Sequence, residues 1–391
     1  MKKIERAELQ AKYNSIKKLK LNLDLTRGKP SSDQLDLSNL VMINLKSKKD
    51  FKLDNADIRN YGEIDGLPSA KKLGSLLLNV KPKNIIVNGT SSLNLTAIML
   101  QTLFFKGNGD GPWKDKKNVS VICPVPGYDR HFSLLEEMGI NMITVSMTGQ
   151  GPNMDEVEAI IKKDKSVKGI ICVPKHSNPT GETYSRETIT RLAKLPKKSS
   201  KDFMIFYDNA YAVHDFKKSP KLSNIFKQCE KFKTSNNISL FASTSKITFA
   251  GSGIAFMGGS EKTIKTFVSY LEKVMVGSDK INQARHVKFF KNPKALEDHM
   301  KDLSSLIRPK FEIVEEYLSR LPEGYANWST PTGGYFVSFN SKPGKAKKIH
   351  KLCSDAGLKL TPVGSTFPYK KDPQNQNIRI APTQVKNSDL K

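Results

Sequence analysis

The chain has 391 residues, 38% hydrophobic and 8% aromatic, with 64 Lys+Arg against 38 Asp+Glu for a formal net charge of +26. That length and apolar content exclude a single small module and wholesale disorder, and fit one large domain with a smaller one. The charge raises nucleic acid or an acidic membrane surface as partners. The basic residues are mostly Lys, however, spread from Lys2 to Lys391, without the clustered Arg of forked base or phosphate recognition. A solvated, lysine-biased surface is expected, with no specific nucleic-acid partner.

Cys123, Cys172, Cys229 and Cys353 lie far apart with no C-x-x-C pair, which excludes a dense disulfide framework and a cysteine-rich zinc site and suits a reducing compartment. The start, MKKIERAELQ, has no apolar stretch behind its charges, and no run of about eighteen apolar residues spans a bilayer. A cytoplasmic protein without a membrane partner is the expectation.

In chain order, a helical stretch from Ile4 to Leu19 precedes the turn-rich Thr26-Arg27-Gly28-Lys29-Pro30. Apolar runs then predict strands at 84–87, 119–123, 141–145, 169–173, 203–207 and 238–242. Between them the periodicity predicts helices at 93–105, 131–138, 154–162 and 188–195. The segment 106–118, rich in Gly, Asp and Lys, reads as a surface loop insertion. A long helix is expected over 294–321, kinked at Pro309, followed by strands at 334–339 and 358–361. Strands separated by helices of this length indicate an α/β protein built on βαβ crossovers and a mostly parallel, buried sheet. The expected organisation is a large domain over 45–305 and a smaller α+β domain formed by 1–44 and 306–391.

Polar clusters follow three of these strands, where open α/β sheets present ligand sites: Asn178-Pro179-Thr180-Gly181, Asp208-Asn209-Ala210-Tyr211 and Ser243-Thr244-Ser245-Lys246. Arg379 stands near the C-terminus between Ile378 and Ile380. Each alone is ordinary. An N-P-T-G segment is good turn chemistry anywhere, an Asp after a strand commonly caps a helix, and a Lys after Ser-Thr-Ser commonly faces water. Their order and spacing together are more specific.

With Leu25–Pro30, Arg59-Asn60-Tyr61-Gly62, Gly89-Thr90-Ser91-Ser92 and Cys123-Pro124-Val125-Pro126-Gly127-Tyr128, the four clusters make the chain resemble, over nearly its whole length, the class I/II aminotransferases. These are pyridoxal 5'-phosphate enzymes of fold type I. The texture is most similar to the branch containing bacterial-type aspartate aminotransferases and some alanine–glyoxylate aminotransferases. The resemblance implies Lys246 as the Schiff-base lysine and proton carrier, and Asp208 as partner of the pyridine nitrogen. It further implies Tyr211 and Asn178 at the ring hydroxyl and Tyr128 on the ring face. Thr90, Ser91, Ser92, Ser243 and Ser245 would surround the phosphate, with Tyr61 reaching it from the neighbouring subunit of a homodimer with shared active sites. Arg379 would clamp the substrate α-carboxylate, with Gly28, Asn178 and Arg27 beside it. No metal site is expected.

The partners implied are an L-amino acid and a 2-oxo acid, with aspartate and 2-oxoglutarate foremost. A glyoxylate or broad-specificity transaminase, a C–S lyase on the same fold, and a regulator using the fold as a sensor are the alternatives. Two departures stand out. No arginine follows Lys246 to meet the cofactor phosphate, and only twelve residues follow Arg379. A second cation for a distal carboxylate has Arg27, Arg285, Lys280 and Arg130 as candidates.

Overall fold

The computed structural model describes residues 3–391. Its centre is a seven-stranded sheet. Across it the strands run Ile85–Val87, Ala255–Gly258, Ile238–Ser243, Met204–Asp208, Val167–Cys172, Ser120–Val125, Asn141–Ser146. All neighbours are parallel except Ala255–Gly258, which is antiparallel to both of its own. Successive residues alternate between faces, as the two-residue period of a strand requires. Ile205 and Tyr207 join one apolar cluster with Leu73 and Leu77, while Met204 and Phe206 join another with Leu95 and Met99. The sheet is thus covered on both faces, which explains its near-continuous apolar runs. The covering helices begin where side chains satisfy free backbone N–H groups: Ser91, Ser185, Ser260 and Asn292 each accept from the residue three further on.

Both ends of the chain meet in a second layer. Leu23–Leu25 pairs in parallel with Leu358–Leu360, beside an antiparallel sheet of Ala326–Trp328, Val337–Ser341 and Asn377–Ile380. The helix Pro293–Leu318 joins the two layers and continues as one helix across Pro309. The division of the chain at 305 falls inside this helix.

Some expectations need correction. The segment 106–118 is not a mere surface loop, because Trp113 on it is fully buried and meets Phe206 edge-on at 6.4 Å. The strand expected over 334–339 begins only at Val337, since Gly334 has φ +80° and turns the chain tightly past His176. The strand Ala255–Gly258 and the helices Glu261–Val274 and Lys280–Phe289 were not expected. All four cysteines are free, and among the described residues no helix is long and apolar enough to cross a membrane.

Candidate active site

The clusters singled out in the sequence converge at the carboxyl edge of the parallel strands. Lys246 sits in the turn after Ile238–Ser243, its Nζ 5.1 Å from the centre of the Tyr211 ring. Burial lowers its pKa; Asp208 opposes that shift and Arg379 adds to it. The main-chain carbonyl of Lys246 accepts from Nε2 of His214 and lies within hydrogen-bond reach of the Tyr335 hydroxyl, each at 3.2 Å. Its backbone is therefore fixed while its amine faces a cavity of about 200 Å³. That cavity is also lined by Gly28, Tyr128, Asp129, Asn178, Tyr211 and Arg379.

Asp208 closes the strand Met204–Asp208 and is buried. Its Oδ2 lies 3.2 Å from Nε2 of His131, out of hydrogen-bond alignment, and its Oδ1 has no partner among the described residues. His131 in turn stands edge-on to Tyr128, ring centres 4.8 Å apart. His131 is not among the residues that the sequence singles out. Its spacing, three after Tyr128 at the start of the helix Asp129–Glu137, was the signal available. Burial raises the pKa of Tyr128 to about 12 and that of Tyr211 well above the ordinary phenol range, so both stay protonated.

Gly89, Thr90 and Ser91 lead into the helix Ser92–Phe105, with Ser91 as its cap. The hydroxyl of Ser245 donates to the Thr90 carbonyl at 2.7 Å, and Ser243 donates to Ser245 at 3.0 Å. The two serine-bearing turns thus touch at a helix N-terminus, where N–H groups and hydroxyls favour an anion.

Arg379, on the strand Asn377–Ile380, is buried with its guanidinium 4.8 Å from the Phe336 ring centre. Its Nη1 donates to Oδ1 of Asn178 at 3.2 Å and to Oδ1 of Asp129 at 2.7 Å. Gly28 admits no side chain, because a Cβ there would come within 2.7 Å of Phe336 Cζ. Arg27 and Arg130 line the cavity with Arg379. Two candidates for a distal carboxylate do not: Arg285 is absent from its lining, and Lys280 is committed to Glu63 and to the Tyr61 carbonyl. Tyr61 is 79% exposed in the single subunit and does not line the cavity. No group of three or more His, Cys, Asp or Glu that could hold a metal occurs among the described residues. The arrangement offers a poorly solvated amine and a guanidinium on one small cavity, with a buried carboxylate bearing an unpartnered oxygen and an anion cradle at the same edge of the sheet.

A family model described as aspartate amino-transferase matches residues 3–391. An aspartate aminotransferase of Corynebacterium glutamicum is 39% identical over 382 residues, covering 96% of this chain and 88% of that protein. Among solved structures, an aspartate transaminase from Corynebacterium glutamicum has a TM-score of 0.94 at 38% identity, covering 99% of this chain and 92% of that one. An alpha-aminoadipate aminotransferase from Thermus thermophilus, complexed with N-(5'-phosphopyridoxyl)-L-leucine, is only 16% identical but shares the fold. Its TM-score is 0.78, over 95% of this chain and 90% of that one.

Proposed function

This chain belongs to the aspartate aminotransferase family, within the pyridoxal-phosphate enzymes of fold type I, and we propose that it carries the amino group of L-aspartate to 2-oxoglutarate in two half-reactions. The observation that carries this reading is the shared cavity: the amine of Lys246 and the guanidinium of Arg379 face one space small enough to hold a single amino acid. The relatives' substrate supports the choice of aspartate.

The surrounding residues fit pyridoxal 5'-phosphate. The unpartnered Oδ1 of Asp208 suits a protonated ring nitrogen. Tyr128 suits the ring face, Asn178 and Tyr211 the ring hydroxyl, and Thr90, Ser91, Ser92, Ser243 and Ser245 the phosphate. When bound, the cofactor supplies an aldehyde carbon for amine capture and a ring that draws electrons from the substrate Cα–H bond.

The chain's own groups do the rest. Arg379 binds the α-carboxylate and, with Asn178 beside it, orients Cα toward Lys246. With its pKa lowered by burial, Nζ of Lys246 takes the proton from Cα. In the second half-reaction it returns a proton to Cα of the carbon skeleton that arrived as the 2-oxo acid. Phe336 covers one face of the guanidinium and keeps water from it. Arg27 and Arg130, on the cavity wall, are the cations we assign to the distal carboxylate.

A homodimer completes the site in this reading. Tyr61, Val274 and Val276 are exposed apolar residues, and the bridge between Gly62 and Gly277 brings their segments together. Such a patch favours a second copy of the chain, which Tyr61 would enter to reach the phosphate.

The test is an absorbance scan of the protein with added pyridoxal phosphate, before and after L-aspartate, beside Lys246→Ala. A visible band that needs Lys246 and is converted by aspartate, with oxaloacetate released, supports the reading. A band that aspartate leaves unchanged overturns the donor. Pyruvate and ammonia in place of an exchanged amino group would mark an eliminating enzyme. No band at all overturns the cofactor.

A further inference from the structure

Arg379 has almost no free hydrogen-bonding capacity. Of the five N–H donors of a guanidinium, Nε is taken by Thr361 Oγ1 and one Nη2 hydrogen by the Thr26 carbonyl, both at 3.2 Å. The two on Nη1 go to Asn178 and Asp129. An incoming carboxylate needs two adjacent N–H groups for a fork. The edge formed by Nε and Nη2 is held by Thr361 and Thr26, so the fork left is Nη1 with Nη2. Of the two partners of Nη1 the charged one is Asp129, at 2.7 Å.

Two negative groups cannot share this position closely at low solvation. Asn178 is neutral and can stay. Asp129 is also the partner able to move: its side chain is 25% exposed, against 4% for Arg379. It stands in the first turn of the helix Asp129–Glu137, between the active-site cavity and an adjoining one of about 250 Å³. The second cavity is lined by Arg27, Arg130, Lys370 and Arg379 itself, with Glu136 the opposing charge. A carboxylate turned into it stays among cations, and Lys370 is the one that lines this cavity and not the active-site cavity.

We propose that Asp129 is an internal stand-in for the substrate α-carboxylate, holding Arg379 between turnovers and moving into the adjoining cavity when a carboxylate docks. This rests on the reading of Arg379 as the α-carboxylate site. Asp129 then sets both affinity and selectivity. A ligand with a carboxylate can displace it, whereas an amine lacking one leaves the pair closed and finds its place blocked. It also keeps the buried guanidinium from standing unpaired in the empty site.

The experiment is calorimetric titration of succinate, a dicarboxylate with no amino group to react, into holoenzyme of the wild type, Asp129→Asn, Asp129→Ala and Arg379→Gln. Removing the internal competitor is expected to tighten succinate binding about tenfold in both Asp129 variants, and to lower KM for aspartate without raising kcat. A purely structural Asp129 would shift these in the other direction, weakening succinate and raising KM. Equal or weaker succinate binding in either Asp129 variant of unchanged melting temperature overturns the proposal. Arg379→Gln should abolish succinate binding. If it does not, the carboxylate-site reading itself has failed, a result separable from an absence of tightening in the Asp129 variants alone.

Discussion

His214 donates its Nε2–H to the main-chain carbonyl of Lys246 across 3.2 Å, and the next two residues are held in a similar way. Nε2 of His299 reaches the Ile247 carbonyl at 2.6 Å, and Nε2 of His286 accepts from the Thr248 hydroxyl at 2.8 Å while its Nδ1–H donates to the Asn282 carbonyl. A carbonyl only accepts, which assigns the tautomer of each ring. Three imidazoles from three separate segments therefore clasp the turn that carries Lys246. Burial lowers the pKa of all three, that of His214 from 6.5 to about 3.

These rings stay neutral in the folded protein, whereas the unfolded chain protonates them near 6.5. The unfolded state thus binds more protons below that pH. The stability they contribute is full above 6.5 and declines as pH falls toward their folded values, for His214 by roughly 1.4 kcal/mol per pH unit. Urea denaturation from pH 7 to pH 5 should show this loss, and His214→Gln should flatten the slope by about one histidine's share. An unchanged slope would refute the assignment of His214.

Asp208→Asn keeps the shape of the side chain and removes its charge. The first half-reaction should slow by a factor on the order of 10²–10³, the usual loss for one preorganised electrostatic contact. The melting temperature of the apoprotein should hold or rise, because the buried, unpartnered position then carries a neutral amide atom, which costs less to desolvate than a carboxylate oxygen. Single-turnover kinetics with aspartate beside a thermal melt separates the two effects, and an undiminished rate sinks the role of Asp208.

Gly28→Ala acts through space alone. Its new Cβ would meet Phe336 Cζ at 2.7 Å and Tyr335 Cβ at 3.1 Å. Phe336 packs against the Arg379 guanidinium, so the displacement passes to the carboxylate site. We expect KM for aspartate to rise more than kcat falls, with a stability cost of about 1–3 kcal/mol from overpacking. Steady-state kinetics that show only a fall in kcat would contradict this route.

Tyr61 supplies a test of shared sites. Lys246→Ala and Tyr61→Ala subunits, each impaired alone, should regain activity when unfolded together and refolded as a mixture. One site of a mixed dimer then holds both native residues. Activity no greater than the sum of the separate proteins would exclude a Tyr61 contribution across an interface.

Much of this site was legible in the sequence because its parts follow apolar strands in chain order: Asn178, Asp208 and Lys246 each stand just beyond one, and parallel strands bring such ends together. What escaped depended on contacts between distant segments. His131 meets Asp208 only through the packing of a helix start against a strand end, and three histidines on unrelated segments converge on the turn that carries Lys246. Asp129 reads locally as an ordinary first-turn acid. The strand Ala255–Gly258 hid behind Gly251-Ser252-Gly253, too short to show a period. Lys280 looked available until Glu63 and the Tyr61 carbonyl were found holding it.

The chain contains two tryptophans, and the fold sends them to different layers. Trp113 is sealed against Phe206, two residues before Asp208, whereas the half-buried Trp328 donates its indole N–H to Glu315 at 3.1 Å in the antiparallel sheet. Indole emission shifts to the blue in dry surroundings and to the red in wet ones, so the protein carries two optical reporters of its own. With Trp328→Phe the remaining light follows the central sheet, and with Trp113→Phe it follows the smaller one. Comparing the two emission traces during denaturation reads out whether the layers that bound the cavity melt together or in sequence.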